Sequence, residues 1–129
     1  MLPGFEDHTN DLTEYELQEL VPVFVNSFKK HVGKEAAITN KEIVSKMKIA
    51  GEKMTEIKVR KIINHIRTHA LVPGLVASSS GYYVTNDPQE VERYINSLDG
   101  REAEIRRVKT TFKQYLNQLL NHHQTKLYG

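Results

Sequence analysis

The chain has 129 residues, of which 39% are hydrophobic, and carries a net charge of +2. That length is enough for one domain with a self-sufficient core. Cysteine is absent, which excludes a disulfide framework, a thiolate zinc site and a cysteine nucleophile, and we expect a reducing, cytoplasmic location. The longest apolar run, residues 20–25, is far short of the roughly 20 residues that a membrane span requires. Neither a signal peptide nor a membrane partner is expected.

Charge is distributed unevenly along the chain. Residues 1–33 have a net charge of −4 and residues 70–99 of −3, whereas residues 34–69 carry +5 and residues 100–129 carry +4. Local charge, rather than net charge, attracts a phosphate backbone. The two basic blocks therefore favour a nucleic-acid partner, although the same unevenness is found on ordinary solvated surfaces.

The first helix is predicted to begin at Thr13, after a flexible arm at residues 1–11. Thr13 and Glu16 have the spacing of a capping box, in which each side chain accepts a hydrogen bond from a backbone N–H at the helix start. The buried stripe is predicted to contain Leu17, Leu20, Val21, Phe24, Phe28 and Val32. Pro22 predicts a kink or a division of the helix into two pieces, and Gly33 is expected to end it.

A second helix is predicted from a second capping box, formed by Thr39 and Glu42. A brief strand at residues 36–38 is expected before it, and residues 50–51 are expected to end it. The inner face of this helix contains Ile43, Val44 and Met47.

A third helix is predicted over residues 55–70, and a hairpin follows it. The inner stripe of the helix contains Val59, Ile62, Ile63, Ile66 and Ala70. Its other positions carry Lys58, Arg60, Lys61, Asn64, His65 and Thr68. Two strand-like runs, residues 75–77 and 82–84, are joined by the short polar connection 78–81, whose glycine suits a hairpin turn.

A long C-terminal helix is predicted to start at Asp87-Pro88-Gln89-Glu90, which combines an N-cap acid with proline in the first turn. Apolar residues then recur every seven positions at Val91, Leu98, Ile105, Phe112 and Leu119, with Tyr94, Ile95, Val108, Tyr115 and Leu116 between them. Arg101, Glu102 and Lys109 interrupt this seam, and Gly100 is a candidate bend.

Two interpretations fit the seven-residue stripe. A homodimer through the C-terminal helix would bury it, because a lone surface helix of this length must cover such a seam with something. The residues expected in that interface are Val91, Leu98, Ile105, Val108, Phe112, Leu116 and Leu119. Alternatively, the stripe packs on its own domain, against the helix at residues 17–32.

The order of these elements resembles a winged helix-turn-helix DNA-binding domain. The likeness is carried by Lys58-Val59-Arg60-Lys61-Ile62-Ile63-Asn64-His65-Ile66-Arg67 and by a hairpin that ends in Gly81-Tyr82-Tyr83-Val84. It implies a mainly α fold with a small β-hairpin, in which residues 12–86 form the winged domain and residues 87–129 a helical extension. The extension looks like the appended helix of small bacterial regulators and of prophage or mobile-element proteins. Residues 55–70 would take the place of the recognition helix, and residues 75–85 that of the wing.

Successive residues of an α-helix are 100° apart around its axis, so the side chains opposite the buried stripe of the third helix are the candidates for DNA contact. Asn64 and Lys61 are then expected to reach base edges, and Ile57 to cover a thymine methyl group or pack on the second helix. The other expected contacts, mostly to phosphates, are Lys41, Lys46, Lys58, Arg60, His65, Arg67, Thr68, Ser78, Ser79 and Ser80.

The sequence predicts no enzyme, no cofactor and no metal site. His65 and His69 have the i, i+4 spacing of two metal ligands on a helix, but no third ligand is evident. The leading hypothesis is sequence-specific binding to double-stranded DNA by a transcriptional or replication regulator. The alternative is a protein-interaction module on the same scaffold without DNA binding, which the uncharged serine tip and the acidic blocks favour.

Overall fold

The computed structural model describes residues 12–128, and side chains as far as residue 123. The expected arm at residues 1–11 lies outside the described residues. The chain divides between Asp87 and Pro88 into two compact units. The regular elements are a π-helical turn Glu16–Leu20, α1 (Val21–Phe28), a 3₁₀ turn Lys34–Ala36, α2 (Asn40–Ile49), α3 (Glu56–Thr68), β1 (Leu75–Ser78), β2 (Gly81–Val84) and α4 (Pro88–Tyr128).

The first helix begins with two α-helical residues, Glu14 and Tyr15, and then passes into the π-helical turn. Hydrogen bonds in a π turn run from residue i to i+5, so the turn holds one more residue than an α turn. The Val21 N–H donates to the Glu16 carbonyl, so Glu16 lies in line with the buried Val21 and is itself buried, whereas Leu17 is rotated outward and is 42% exposed. The predicted burial of Leu17 is wrong for this reason. The capping box is confirmed, since the Thr13 N–H donates to Glu16 Oε1 at 2.8 Å and the Glu16 N–H to Thr13 Oγ1 at 3.1 Å.

Pro22 lies in the first turn of α1, directly after the π turn. Proline has no N–H to donate to the preceding turn, and the change from π to α geometry occurs at this point. The predicted division at Pro22 is thus present as a change of helix type between two contiguous pieces. The helix ends at Phe28, before the expected end at Gly33. Val32 therefore lies beyond the helix and is exposed, which corrects its place in the predicted stripe.

Helices α2 and α3 each begin at a threonine cap. Thr39 and Glu42 form the predicted capping box, and the backbone hydrogen bond from Thr39, followed by that from its hydroxyl, lowers the pKa of Glu42. At α3, the Thr55 hydroxyl accepts from the Lys58 N–H at 3.2 Å. The two helices pack on each other, and α3 also packs on α1.

The core of the first unit surrounds the inner face of α3. Val59, Ile62, Ile63 and Ile66 are almost completely buried, as predicted. Ala70 is exposed instead, because α3 ends at Thr68 and Ala70 takes a left-handed backbone conformation with φ of 52°. The other buried members of this core are Leu20, Val21, Phe24, Phe28, Ile38, Ile43, Met54, Val72, Leu75 and Val84.

The two strands form an antiparallel hairpin with Leu75 opposite Val84 and Ser78 opposite Gly81. Beyond β1, strand β2 has a second neighbour, because Ile38 and Tyr82 exchange backbone hydrogen bonds of 3.0 and 2.8 Å. The Val84 N–H also donates to the His31 carbonyl at 2.8 Å. The predicted pairing of this segment with the hairpin is present only as a single bridge at Ile38, because Ala36 belongs to the 3₁₀ turn instead of to a strand.

The second unit is the 41-residue helix α4, which starts at Pro88 as predicted and continues without interruption through Gly100. Most of its large apolar side chains are exposed, including Ile105 at 69% and Phe112 at 66%, whereas Val91 and Tyr94 near its start are half-buried. Between residues 12 and 128, no helix combines the length and the apolar character needed to cross a membrane.

Candidate nucleic-acid interface

The outer face of α3 presents polar and basic side chains to solvent. Lys58, Arg60 and Asn64 are exposed, as the helical geometry predicted, and Ile57 between them is 59% exposed. Thr68 is exposed as well, but its hydroxyl donates to the carbonyl of Asn64 at 2.9 Å. The arrangement offers an amide, two cations and one apolar group on the same surface, while the hydroxyl of Thr68 is engaged with its own helix.

Lys61 does not project freely from α3, contrary to the expectation from helical geometry. Its Nζ lies 3.8 Å from Glu16 Oε1, and the two side chains are only 19% and 5% exposed. The π turn before α1 brings Glu16 to this position. The expected contact of Lys61 with a base edge is therefore corrected: the charge of Lys61 is compensated within the fold, and the side chain bridges the start of the first helix and α3.

Two further side chains of α3 are held by neighbours on the same helix. Arg60 lies 3.8 Å from the carboxylate of Glu56, in an exposed i, i+4 pair that contributes little to stability. The rings of His65 and His69 lie against each other, with centroids 4.1 Å apart and planes tilted by 31°. Burial, followed by the charge of His69, lowers the pKa of His65, which favours its neutral form. Arg67, expected at a phosphate, is half-buried.

An open cleft of about 290 Å³ lies where the hairpin tip approaches the starts of α2 and α3. Ser78 and Ser79 line one side, and Lys41 and Glu56 line the other. At the boundary of the cleft, the Tyr82 hydroxyl donates to Asn40 Oδ1 at 3.0 Å. The cleft thus brings together the hairpin serines and Lys41, which were predicted separately as DNA contacts.

Within the hairpin tip, the hydroxyl of Ser78 is used internally. It donates to the Gly81 carbonyl at 3.1 Å and accepts from the Ser80 N–H at 3.1 Å. These bonds fix the turn, as is common for serine in tight connections. Ser79 is exposed at the tip. Lys46 is exposed on α2 but does not line the cleft.

Sequence reasoning missed the parts played by Glu16, Asn40 and Glu56. Asn40 directly follows the capping residue Thr39, so its place at the helix start could have been read from the capping box. No local pattern marks the approach of the hairpin to this helix, because that contact depends on the tertiary fold. Among the described residues, no group of three or more histidines or acids could hold a metal ion.

No protein-family model, no curated protein and no solved structure matches the chain.

Proposed function

We propose that the first unit is a winged helix-turn-helix domain that binds double-stranded DNA in a sequence-specific manner, as a transcriptional or replication regulator. In this proposal α3 enters the major groove, and the hairpin is the wing. The observation that carries the proposal is the cleft in which the hairpin serines face Lys41 and the starts of α2 and α3.

The outer face of α3 supports base contacts by a smaller set of residues than the sequence suggested. Asn64 is exposed and has the paired donor and acceptor that recognise adenine in the major groove. Ile57, about two turns before it, can cover a thymine methyl group. Lys58 and Arg60 are exposed at the two edges of this outer face and would contact phosphates. Lys61 is not among the residues proposed to contact bases, because it pairs with Glu16.

The cleft supports a phosphate contact by three kinds of group. The first backbone N–H groups of α2 have no partner within the helix and carry partial positive charge. Lys41 adds a full charge, and Ser79 adds a hydroxyl at the exposed tip. Glu56 opposes anion binding here, but its carboxylate lies near Arg60. A phosphate in the cleft would thus connect the hairpin with the second helix, while α3 reads the adjacent groove.

A fluorescence-anisotropy titration on random duplex DNA tests the proposal. We expect measurable binding at low salt, with log K falling by about 0.9 per neutralised phosphate for each unit of log salt. Lys58→Gln and Lys41→Gln should each reduce that slope by about one unit. Lys29→Gln is the matched control, since Lys29 is an exposed lysine at the end of α1, away from the cleft and α3.

Sequence specificity requires a separate measurement, namely selection of binding sites from a randomised duplex. Asn64→Ala should relax the preference at one base pair, at a cost of about 1–3 kcal/mol, without changing the affinity for random DNA. Absence of binding at low salt, or an equal loss in the Lys29→Gln control, would contradict the proposal.

A further inference from the structure

Helix α4 carries an apolar surface along most of its length that is open to solvent. Its exposed members, within the part of α4 whose side chains are described, are Ile95, Leu98, Ile105, Val108, Phe112, Tyr115, Leu116, Leu119 and Leu120. Of these, Leu98, Ile105, Phe112 and Leu119 recur every seven residues with Val108 and Tyr115 between them, as in a coiled-coil seam, and Ile95 and Leu116 flank that seam. A continuous exposed surface of this kind marks an interaction site, because water-soluble surfaces seldom leave so many large apolar groups together.

The charges of α4 are separated along its axis. Residues 88–104 contain two arginines and five acids, a net charge of −3, whereas residues 105–123 contain four basic residues and no acid, a net charge of +4. A helix with one acidic and one basic half is complementary to a second copy of itself only when the two run in opposite directions.

We propose that α4 pairs with α4 of a second copy of this chain as an antiparallel coiled coil, in the register that places Ile105 opposite the partner's Val108. In that register Leu98 lies opposite the partner's Tyr115, and Ile95 lies beside the partner's Leu116. Because the pairing has two-fold symmetry, each contact occurs twice. The acidic half of each helix then lies along the basic half of the other.

The three charged residues that interrupt the seam argue for the same register. Glu102 comes beside the partner's Lys109, and Arg101 comes opposite the aromatic ring of the partner's Phe112, which is a favourable partner for a guanidinium group. Arg106 already donates to Glu102 Oε1 at 3.0 Å within the helix, and the partner's Lys109 would approach Oε2. Each interruption of the apolar stripe thereby gains a complementary group.

A parallel, in-register pair would have the opposite effect. Each seam residue would lie beside its own copy, so Arg101 would face the partner's Arg101 in the seam. The two basic halves would also lie together along residues 105–123. Like charges at such positions select against an arrangement. Facing Arg101 copies and adjacent basic halves therefore favour the antiparallel pair over the parallel one, a choice that the apolar stripe alone does not make.

The direction of pairing can be measured with spin labels, because the chain has no cysteine of its own. Asn96→Cys, Ala103→Cys, Thr110→Cys and Asn117→Cys place single labels on the exposed side of α4, away from the seam. In the antiparallel register, a label at residue 96 or 117 lies about 30 Å along the axis from the same label on the partner. A label at residue 103 or 110 lies only about 10 Å from its copy. A parallel pair gives the same separation at all four positions.

Interface variants test the contacts themselves in the full chain by sedimentation at micromolar concentration. We expect the wild type to have twice the monomer mass of 14.8 kDa, and Ile105→Lys to sediment as a monomer. Thr110→Lys is the matched control on the opposite face and should remain a dimer. Lys109→Glu should raise the dissociation constant at least several-fold, and Glu102→Lys combined with Lys109→Glu should restore it.

A wild-type chain of monomer mass, or equal label separations at the four positions, would overturn the proposal. A higher oligomer would overturn it too. So would restoration of the Lys109→Glu dimer by Glu104→Lys instead of Glu102→Lys, because Glu104 meets the partner's Lys109 only in a parallel pair. These measurements contain no DNA, so their outcome is independent of the proposed DNA binding.

Discussion

The two long amphipathic helices of this chain, α3 and α4, use their apolar faces in opposite ways. Ile62 on α3 is completely buried in the core of its unit, whereas Ile105 on α4 is 69% exposed. The apolar residues of both helices follow helical spacing. Periodicity alone therefore cannot distinguish a residue buried in the core of its own unit from one exposed on a surface that could bind another molecule. The difference lies in the surroundings: α3 packs on α1 and α2, while the apolar face of α4 remains open to solvent.

The largest effect that separates the two helices is expected from matched truncations. Ile62→Ala should lower the free energy of unfolding by about 2–5 kcal/mol, because it removes buried methyl groups and leaves a cavity. Ile105→Ala should change the unfolding of the first unit by less than about 0.5 kcal/mol. Urea denaturation at dilute concentration measures both. Equal losses would mean that the apolar face of α4 stabilises the monomer.

Glycine substitutions sharpen the same contrast. Gly81 has φ of 117°, and a Cβ there would lie 2.5 Å from the Ile38 carbonyl oxygen, so Gly81→Ala should cost at least about 2 kcal/mol. Gly100 lies within α4 and has nothing within 4 Å of a Cβ. Gly100→Ala should therefore stabilise α4 by about 0.5–1 kcal/mol. Thermal denaturation followed by circular dichroism measures the two shifts, and a lower melting temperature for Gly100→Ala would show that α4 needs a bend there.

A third test compares two lysines on α3. Lys61→Met should destabilise the fold by about 1–2 kcal/mol, since it leaves the buried carboxylate of Glu16 without its cation. Lys58→Met should have an effect below about 0.5 kcal/mol, because Lys58 is exposed. Urea denaturation of both variants distinguishes them. If Lys61→Met lowered the free energy of unfolding no more than Lys58→Met, the ion pair with Glu16 would not stabilise the fold. Lys61 would then again be a candidate for DNA contact.

The smallest expected effect is a dependence of stability on pH. The pKa of His65 is lowered in the folded state, by burial and then by His69, so the unfolded chain binds the proton first as pH falls. The resulting loss of stability begins near pH ~6.5 and continues downward through the folded pKa. His65→Gln should flatten the profile in urea denaturation across this range. An unchanged profile would assign the pH dependence to other groups.

Local signals in the sequence predicted most of the fold. The two capping boxes, at Thr13 and Thr39, depend only on neighbours three residues apart, and both are present. The hairpin was predicted from its strand-like runs and the glycine that suits its connection, and the start of α4 from Asp87 and Pro88. A residue pattern is sufficient where the interaction that fixes an element lies within the element.

Predictions failed where the controlling interaction comes from elsewhere in the chain. Leu17 was placed in the core by α-helical spacing, but the π turn gives that position to Glu16. Lys61 was placed outside by the same spacing, and Glu16 then holds it as a partner. One extra residue in a single turn thus explains both errors. The cleft at the hairpin tip joins segments some 40 residues apart in sequence, such as Asn40 and Tyr82, and no helical or strand period could reveal it.

The hydrogen bonds on both sides of β2 have a consequence for local motion. Two-stranded hairpins are marginal in isolation and would ordinarily open faster than the rest of a domain. Here the Tyr82 and Val84 amides donate to Ile38 and His31, on the side away from β1. Breaking these two hydrogen bonds requires the segment before α2 to separate from the core as well. Hydrogen exchange at these two amides should accordingly report global unfolding of the unit rather than fraying of a short ribbon.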